Sequence, residues 1–195
     1  MVNVPTASSG ASAVTAARAS AGSSPPSRAL RAAAAATTAL TYTYGAHVAH
    51  VAVDPETGAT EVLKLVTVED VGRAINPALV HGQALGAAVQ GLGGAFLEEL
   101  VYDETGQLLT ATFADYAMPT ATDFPRIAAM TLEDAPSTSN PLGAKGAGEG
   151  GIVATGAAAA NAVAAALAPA GVVVRELPLS ARNLARWMAA VRPAR

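Results

Sequence analysis

The sequence predicts an α+β domain. Two runs of alternating apolar residues flank an Asp-Pro-Glu-Thr-Gly turn, which reads as a β-hairpin. Two long stretches of small apolar residues, one glycine-rich and one alanine-rich, read as helices. Strands and helices then follow one another without a regular βαβ alternation. With 195 residues, 51% of them hydrophobic, and a mean hydropathy of +0.34, the chain has material for a core. Much of it is alanine, which buries little area per residue.

Residues 1–41 differ from the rest. They are rich in Ala, Ser, Thr and Pro, contain Pro25-Pro26 and the run Ala32–Ala36, and carry only Arg18, Arg28 and Arg31 as charged side chains. Such a segment reads as a low-complexity, disordered tail, although an acid-poor leader of this kind also resembles a transit peptide. The folded unit is expected over residues 42–195. Ala46–Val53 forms the first strand, Asp54–Gly58 the turn, with Pro early and Gly late, and Glu61–Val68 the second strand. Asn76-Pro77 starts a helix, with Asn as N-cap and Pro in the first turn. That helix runs from about Ala78 to Leu100 and contains Gly82, Gly86, Gly91, Gly93 and Gly94. Each glycine costs a helix interior roughly 1 kcal/mol relative to alanine. Close approach of another backbone or of a ligand is the simplest compensation.

A second hairpin-like unit is expected around the turn Tyr102–Gln107, then an irregular loop at Asp115–Thr120 and a strand at Ile127–Leu132. The Gly-rich segment Asn140–Gly151 precedes a helix over Ile152–Leu167, which Pro169 and Gly171 end. Ser180 caps a last helix, Ala181–Val191, with Leu184, Trp187, Met188 and Val191 on one face.

Composition narrows the function. Aromatics are 4%, too few for a base-stacking surface. A net charge of −3 and a pI near 5.6 argue against nucleic acid as a partner. With no cysteine, this chain supplies no disulfide, Fe–S ligand, thiolate zinc ligand or cysteine nucleophile. No apolar run is expected to reach the roughly 18 residues that span a membrane. His47 and His50 share a strand-like run without a third ligand nearby.

The most informative segment is Asn140-Pro141-Leu142-Gly143-Ala144-Lys145-Gly146-Ala147-Gly148-Glu149-Gly150-Gly151. It holds one carboxylate, Glu149, in a run of glycines, with Lys145 four residues earlier. Glycines let a backbone come close to a ligand, and a helix N-terminus favours an anion. The residues alone leave open a base pressed against a bulky bound group, or a flexible linker that happens to contain Glu149. Gly146–Gly151 satisfies G-x-G-x-x-G, but no strand precedes it and no acidic residue lies about 20 positions on. Lys145 is followed by Gly146 rather than the Ser or Thr of a P-loop. Gln83, Gly86 and Gln90 recur at 3–4 residue spacing on the first helix. Their amides suit the edge of a heterocycle, or the helix packs on another through its small residues. Asp70, Arg73, Asp115 and Tyr116 are candidates for a polar cluster, or singly for salt bridges and loop anchors.

Several segments then line up in order. They are Thr57-Gly58, Val71–Pro77, Gly82-Gln83-Ala84-Leu85-Gly86, Gln90–Glu99, Asp115–Thr120 and Gly143–Glu149. Their order and spacing, over about Gly45 to Leu167, resemble the C-terminal end of the molybdenum hydroxylase large subunit. That family includes xanthine dehydrogenases, aldehyde oxidases and aerobic carbon monoxide dehydrogenases. The resemblance implies a cytoplasmic oxidoreductase and a molybdenum–molybdopterin cofactor, in the cytosine dinucleotide form of bacterial members. It implies that Glu149 sits beside molybdenum as general base, in a water-derived hydroxylation of an aldehyde or aromatic heterocycle. Gln83, Gly86, Gln90, Lys145, Gly146 and Gly148 would border the cofactor, and electrons would leave through Fe–S and FAD subunits. The family's large subunit is several times longer, and its cofactor lies between this part and the others. The chain is therefore expected to supply one wall of the site and a partner chain the rest. The alternative is a truncated, non-catalytic remnant or interaction module of the same fold.

Overall fold

The structure, a computed structural model, describes residues 41–124 and 126–191. Apart from Thr41, the expected tail lies outside the described residues. Strands β1 (Tyr44–Val53) and β2 (Thr60–Asp70) form the expected antiparallel hairpin. Asp54 closes its turn, accepting from the Glu56 N–H at 2.8 Å and from the Thr57 hydroxyl at 2.7 Å. Gly58 has φ +76°, and a Cβ there would meet the Ala181 carbonyl at 2.5 Å. Only glycine satisfies both the turn and the approach of the last helix.

The register slips between His50 and Val51, leaving Leu63 as an extra residue in β2. Beyond this bulge, Leu65, Thr67 and Glu69 all face inward and are buried, while Val66 and Val68 on the other face are half-buried. Strand β3 (Ile127–Leu132) joins β2 in parallel, giving the order β1-β2-β3. A parallel neighbour needs a crossover, which helix α1 (Pro77–Phe96) and the loop after it provide.

Helix α1 starts as its sequence requires. Asn76 Oδ1 accepts from the Leu79 N–H at 3.2 Å, with Pro77 in the first turn. It ends at Phe96 rather than Leu100. The Gly93 carbonyl accepts from both Leu97 N–H (2.8 Å) and Glu98 N–H (2.9 Å), which turns the chain out of the helix. The second hairpin-like unit reduces to one isolated bridge, Tyr102 with Leu108. Asp103 satisfies the local donors itself, taking the N–H groups of Thr105 (2.8 Å) and Gln107 (2.9 Å).

The expected Ile152–Leu167 helix is two helices, α2 (Gly150–Val153) and α3 (Thr155–Leu167), separated at Ala154. The run Gly150–Ala170 spans 21 residues and holds an 18-residue stretch of mean hydropathy 1.6, long and apolar enough by length and composition to cross a membrane. That corrects the expectation that no apolar run reaches such a length. Alanines supply the hydropathy, and the segment packs on β1 and α1. Helix α4 (Ala181–Val191) begins with the Ser180 hydroxyl accepting from the Asn183 N–H at 3.3 Å. Its Leu184 and Met188 are buried, whereas Val191, expected on the same stripe, is 43% exposed.

The core lies between the inner sheet face and the helices. Leu65, Ala88, Leu92, Ala159, Val163 and Leu184 are all at 0% exposure. Burying a leucine of this kind contributes about 1.5–3 kcal/mol. Helices α1 and α2 meet where Gly151 faces the backbone of Ala84, and a Cβ at 151 would lie 2.5 Å from the Ala84 carbonyl. This contact sets the Gly-rich segment against α1.

Candidate functional site

The Gly-rich segment is held by its own polar residues and by the end of β2. Asn140 Oδ1 accepts from the N–H groups of Leu142 (3.1 Å) and Ala144 (3.3 Å), and its Nδ2 donates to the Ala144 carbonyl at 2.9 Å. Gly143, at φ +68°, accepts from the Arg73 and Ser137 N–H groups, both at 2.9 Å. Gly72 and Ala144 bridge the two strands of chain, and the Lys145 N–H donates to the Val71 carbonyl at 3.0 Å. The loop is therefore an ordered extension of the sheet end, not a free linker.

Asp70 is the hub. Its Oδ1 accepts from the Gly72 N–H at 2.9 Å and from Lys145 Nζ at 3.0 Å. Its Oδ2 accepts from the Ala135 N–H at 3.0 Å and the Tyr44 hydroxyl at 3.4 Å. The Lys145 side chain is 9% exposed, and its ammonium lies 4.3 Å from the centre of the Tyr44 ring. The Gly72 N–H and the Lys145 ammonium hold the Asp70 carboxyl below the usual carboxylate range. The polar cluster considered from sequence does not form. Asp70 pairs with Lys145, Tyr116 donates to Glu98 at 2.6 Å, Asp115 accepts from Thr112 at 2.6 Å, and Arg73 is exposed.

Beyond Lys145 the loop opens on a cleft of about 360 Å³ lined by Thr41, Tyr42, Thr43, Gly146, Gly148, Glu149, Gly150 and Val153. Glu149 is exposed at its wall and occupies the N-cap position of α2 without a capping bond. Only one turn of helix follows it, so the helix-terminus argument for Glu149 loses most of its force. The cleft thus brings together Glu149, Gly146 and Gly148 from the sequence-derived set. Lys145 does not line it. Gln83, Gly86 and Gln90 are exposed on α1 and do not line it either. The helix glycines divide into two kinds. A Cβ at Gly91 would meet Thr155, and one at Gly93 would meet Glu98 and Pro119, whereas Gly82, Gly86 and Gly94 have nothing among the described residues within 4 Å.

Thr155 and Glu69 escaped sequence reasoning, and His47 was weighed there only as a metal ligand. His47 Nδ1 lies 2.9 Å from Thr155 Oγ1, which itself donates to the Gly151 carbonyl at 2.6 Å. Because the Thr155 proton is committed to Gly151, His47 donates from Nδ1. Burial lowers the His47 pKa, opposed by a hydrogen bond with the Gly150 backbone. Glu69 is 1% exposed, and among the described residues neither carboxyl oxygen has a hydrogen-bond partner. Burial pushes its carboxyl above the usual range. The inward alternation Leu65, Thr67, Glu69 was the available signal for it.

The model of the molybdopterin cofactor-binding domain matches residues 5–125. The chain belongs to the molybdopterin cofactor-binding domain family. That match begins inside the segment expected as a tail and stops short of the Gly-rich loop. Relatives of this chain extend the likeness. It is 46% identical over 134 residues to the 6-hydroxypseudooxynicotine dehydrogenase complex subunit gamma of Paenarthrobacter nicotinovorans, covering 69% of this chain and 17% of that one. It is 36% identical over 135 residues to the aldehyde oxidoreductase molybdenum-binding subunit PaoC of Escherichia coli K12, covering 69% and 18%. Among solved structures, quinoline 2-oxidoreductase from Pseudomonas putida 86 matches with a TM-score of 0.72 and 42% identity, over 76% of this chain and 19% of that one. The Cu,Mo-containing CO dehydrogenase matches with a TM-score of 0.72 and 30% identity over the same shares. The chain spans less than a fifth of the length of these relatives.

Proposed function

We propose that this chain forms one wall of a molybdenum-cofactor site in a hydroxylase acting on an aldehyde or aromatic heterocycle, with Glu149 as general base. The observation that carries the reading is Glu149 itself, exposed on the 360 Å³ cleft among Gly146, Gly148 and Gly150 and free of a capping bond. The residues present fit a large bound group. Among the described residues a Cβ at Gly148, Gly82 or Gly86 would meet no atom within 4 Å, so two glycine-bearing surfaces are free of them.

When bound, the cofactor supplies a Lewis acid and a two-electron sink. The chain supplies the proton chemistry and the positioning. A Glu149 carboxylate oxygen accepts the proton of the attacking water-derived hydroxyl, a role that needs the group within hydrogen-bond reach of it. Gly146 and Gly148 let the backbone approach the cofactor, while Gln83 and Gln90 offer amide donors and acceptors from α1, beside Gly86. Lys145 contributes through Asp70, fixing the base of the loop. The cytosine dinucleotide form of the cofactor, its sharing with a partner chain, Fe–S and FAD subunits, a small-molecule substrate and a cytoplasmic setting complete the reading.

The experiment is to purify the tagged chain from its host and assay molybdenum and co-purifying polypeptides. Molybdenum together with a chain carrying the remaining domains supports the reading. A metal-free chain that purifies alone contradicts it and favours a non-catalytic remnant.

A further inference from the structure

Glu69 stands where its chemistry is least expected. It continues the inward row of β2 after Leu65 and Thr67, and the Thr67 hydroxyl is likewise buried without a partner. Across the hairpin, Glu69 is in register with Gly45, which offers no side chain. On its other side lies Gly150. A Cβ on Gly150 would collide with Glu69 Oε2 and lie 3.1 Å from Thr43 Cγ2. The carboxyl thus fills the space that a side chain at position 150 would otherwise take. A cavity of about 80 Å³ borders it, lined by Thr43, Tyr44, Gly45, His47, Gly150, Val153 and Ala154 as well as Glu69. This cavity shares Thr43, Gly150 and Val153 with the cleft that Glu149 lines.

We propose that Glu69 is a positioning residue for Glu149, its carboxyl forming the seat on which Gly150 rests and so fixing the backbone that carries the Glu149 side chain. The word positioning rests on the reading of Glu149 as the base. The seat itself does not.

The surroundings favour an uncharged seat. On β1 the titratable neighbours are Tyr44 and His47, and burial weakens the basicity of His47. At the head of α2 stands Glu149, a like charge. In β3 the register partner is Thr131, and α3 contributes the Thr155 hydroxyl, already donated to Gly151. Asp70, next along β2, holds Lys145. Among the described residues no cation compensates Glu69, and an ionised carboxylate buried without a donor is costly. Burial raises the carboxyl's pKa accordingly. The seat holds while Glu69 keeps its proton. As pH rises and Glu69 ionises, Gly150 lifts and water enters.

The test is hydrogen exchange of the full chain, read by mass spectrometry over residues 146–154 from mildly acid to mildly alkaline pH and corrected for intrinsic rates. Wild type should keep a plateau of protection and then lose it about tenfold per pH unit once Glu69 ionises, the slope of one linked proton. E69Q, a neutral isostere, should hold the plateau at every pH. E69A should lose protection throughout, and E149Q should keep the wild-type slope. A flat wild-type profile, a slope retained in E69Q, or a slope abolished in E149Q would overturn the proposal. The wild-type profile stands even if a variant does not fold. No cofactor enters this experiment. A clear slope alongside a fully active E149Q enzyme would remove the base and leave the seat. A flat profile alongside an inactive E149Q enzyme would do the reverse.

Discussion

The Lys145 ammonium donates to Asp70 Oδ1 at 3.0 Å, joining residues 75 positions apart. The pair ties the Gly-rich loop to the end of β2, and both side chains are more than nine-tenths buried. Its two halves are not equivalent. Asp70 has three further donors, from Gly72, Ala135 and Tyr44. Lys145 has Asp70 as its ion-pair partner and otherwise the Tyr44 ring. Removing the carboxylate strands a buried cation, whereas removing the cation leaves a carboxylate still served by donors. D70N should therefore lower the Tm more than K145M, in thermal unfolding of the two variants side by side. The opposite order would contradict this account of the pair.

Three carboxyl and imidazole groups give the stability a defined pH shape. Asp70 has a lowered pKa in the fold, so its contribution is present above the usual carboxylate range and is lost as pH falls through the lowered value. His47 also has a lowered pKa, so the unfolded chain takes up more protons, and stability falls as pH drops below the usual imidazole range. Glu69 has a raised pKa, so stability falls as pH rises from the usual carboxylate range through the raised value. Denaturant unfolding across pH should show the acid loss in wild type, a flattened acid limb in D70N, and a smaller decline as pH rises above the usual carboxylate range in E69Q.

The glycines of α1 and α2 should answer differently to alanine. Gly86 is exposed in a helix interior with nothing within 4 Å of a Cβ, so G86A should stabilise the chain by about 1 kcal/mol. At Gly151 a Cβ would meet the Ala84 carbonyl at 2.5 Å. G151A should destabilise by about 1–3 kcal/mol, the usual cost of overpacking. If Gly86 borders the cofactor, G86A should also lower molybdenum content in the assembled enzyme while raising the Tm. Unchanged molybdenum would take α1 out of the site.

Local chemistry was legible in the sequence, and distant pairing was not. The Asp54–Gly58 turn and the Asn76-Pro77 start each complete their hydrogen bonds within a few residues, and both formed where expected. The Gly-rich loop was recognisable because its glycines and Glu149 are contiguous. The end of α1 was not, because one carbonyl, that of Gly93, decides it by taking two donors. The parallel pairing of β2 with β3 joins Leu65 to Ile127, and the Asp70–Lys145 pair also closes a long loop. No local pattern encodes either. Glu69 was missed because the expected strand stopped at Val68, one residue short of it.

The most direct measurement is turnover of the assembled enzyme carrying E149Q, with molybdenum determined on the same preparation. General-base catalysis contributes roughly 10²–10⁴-fold. The account predicts a loss of that order with molybdenum content unchanged. Undiminished turnover with full molybdenum would contradict it and remove Glu149 from the mechanism.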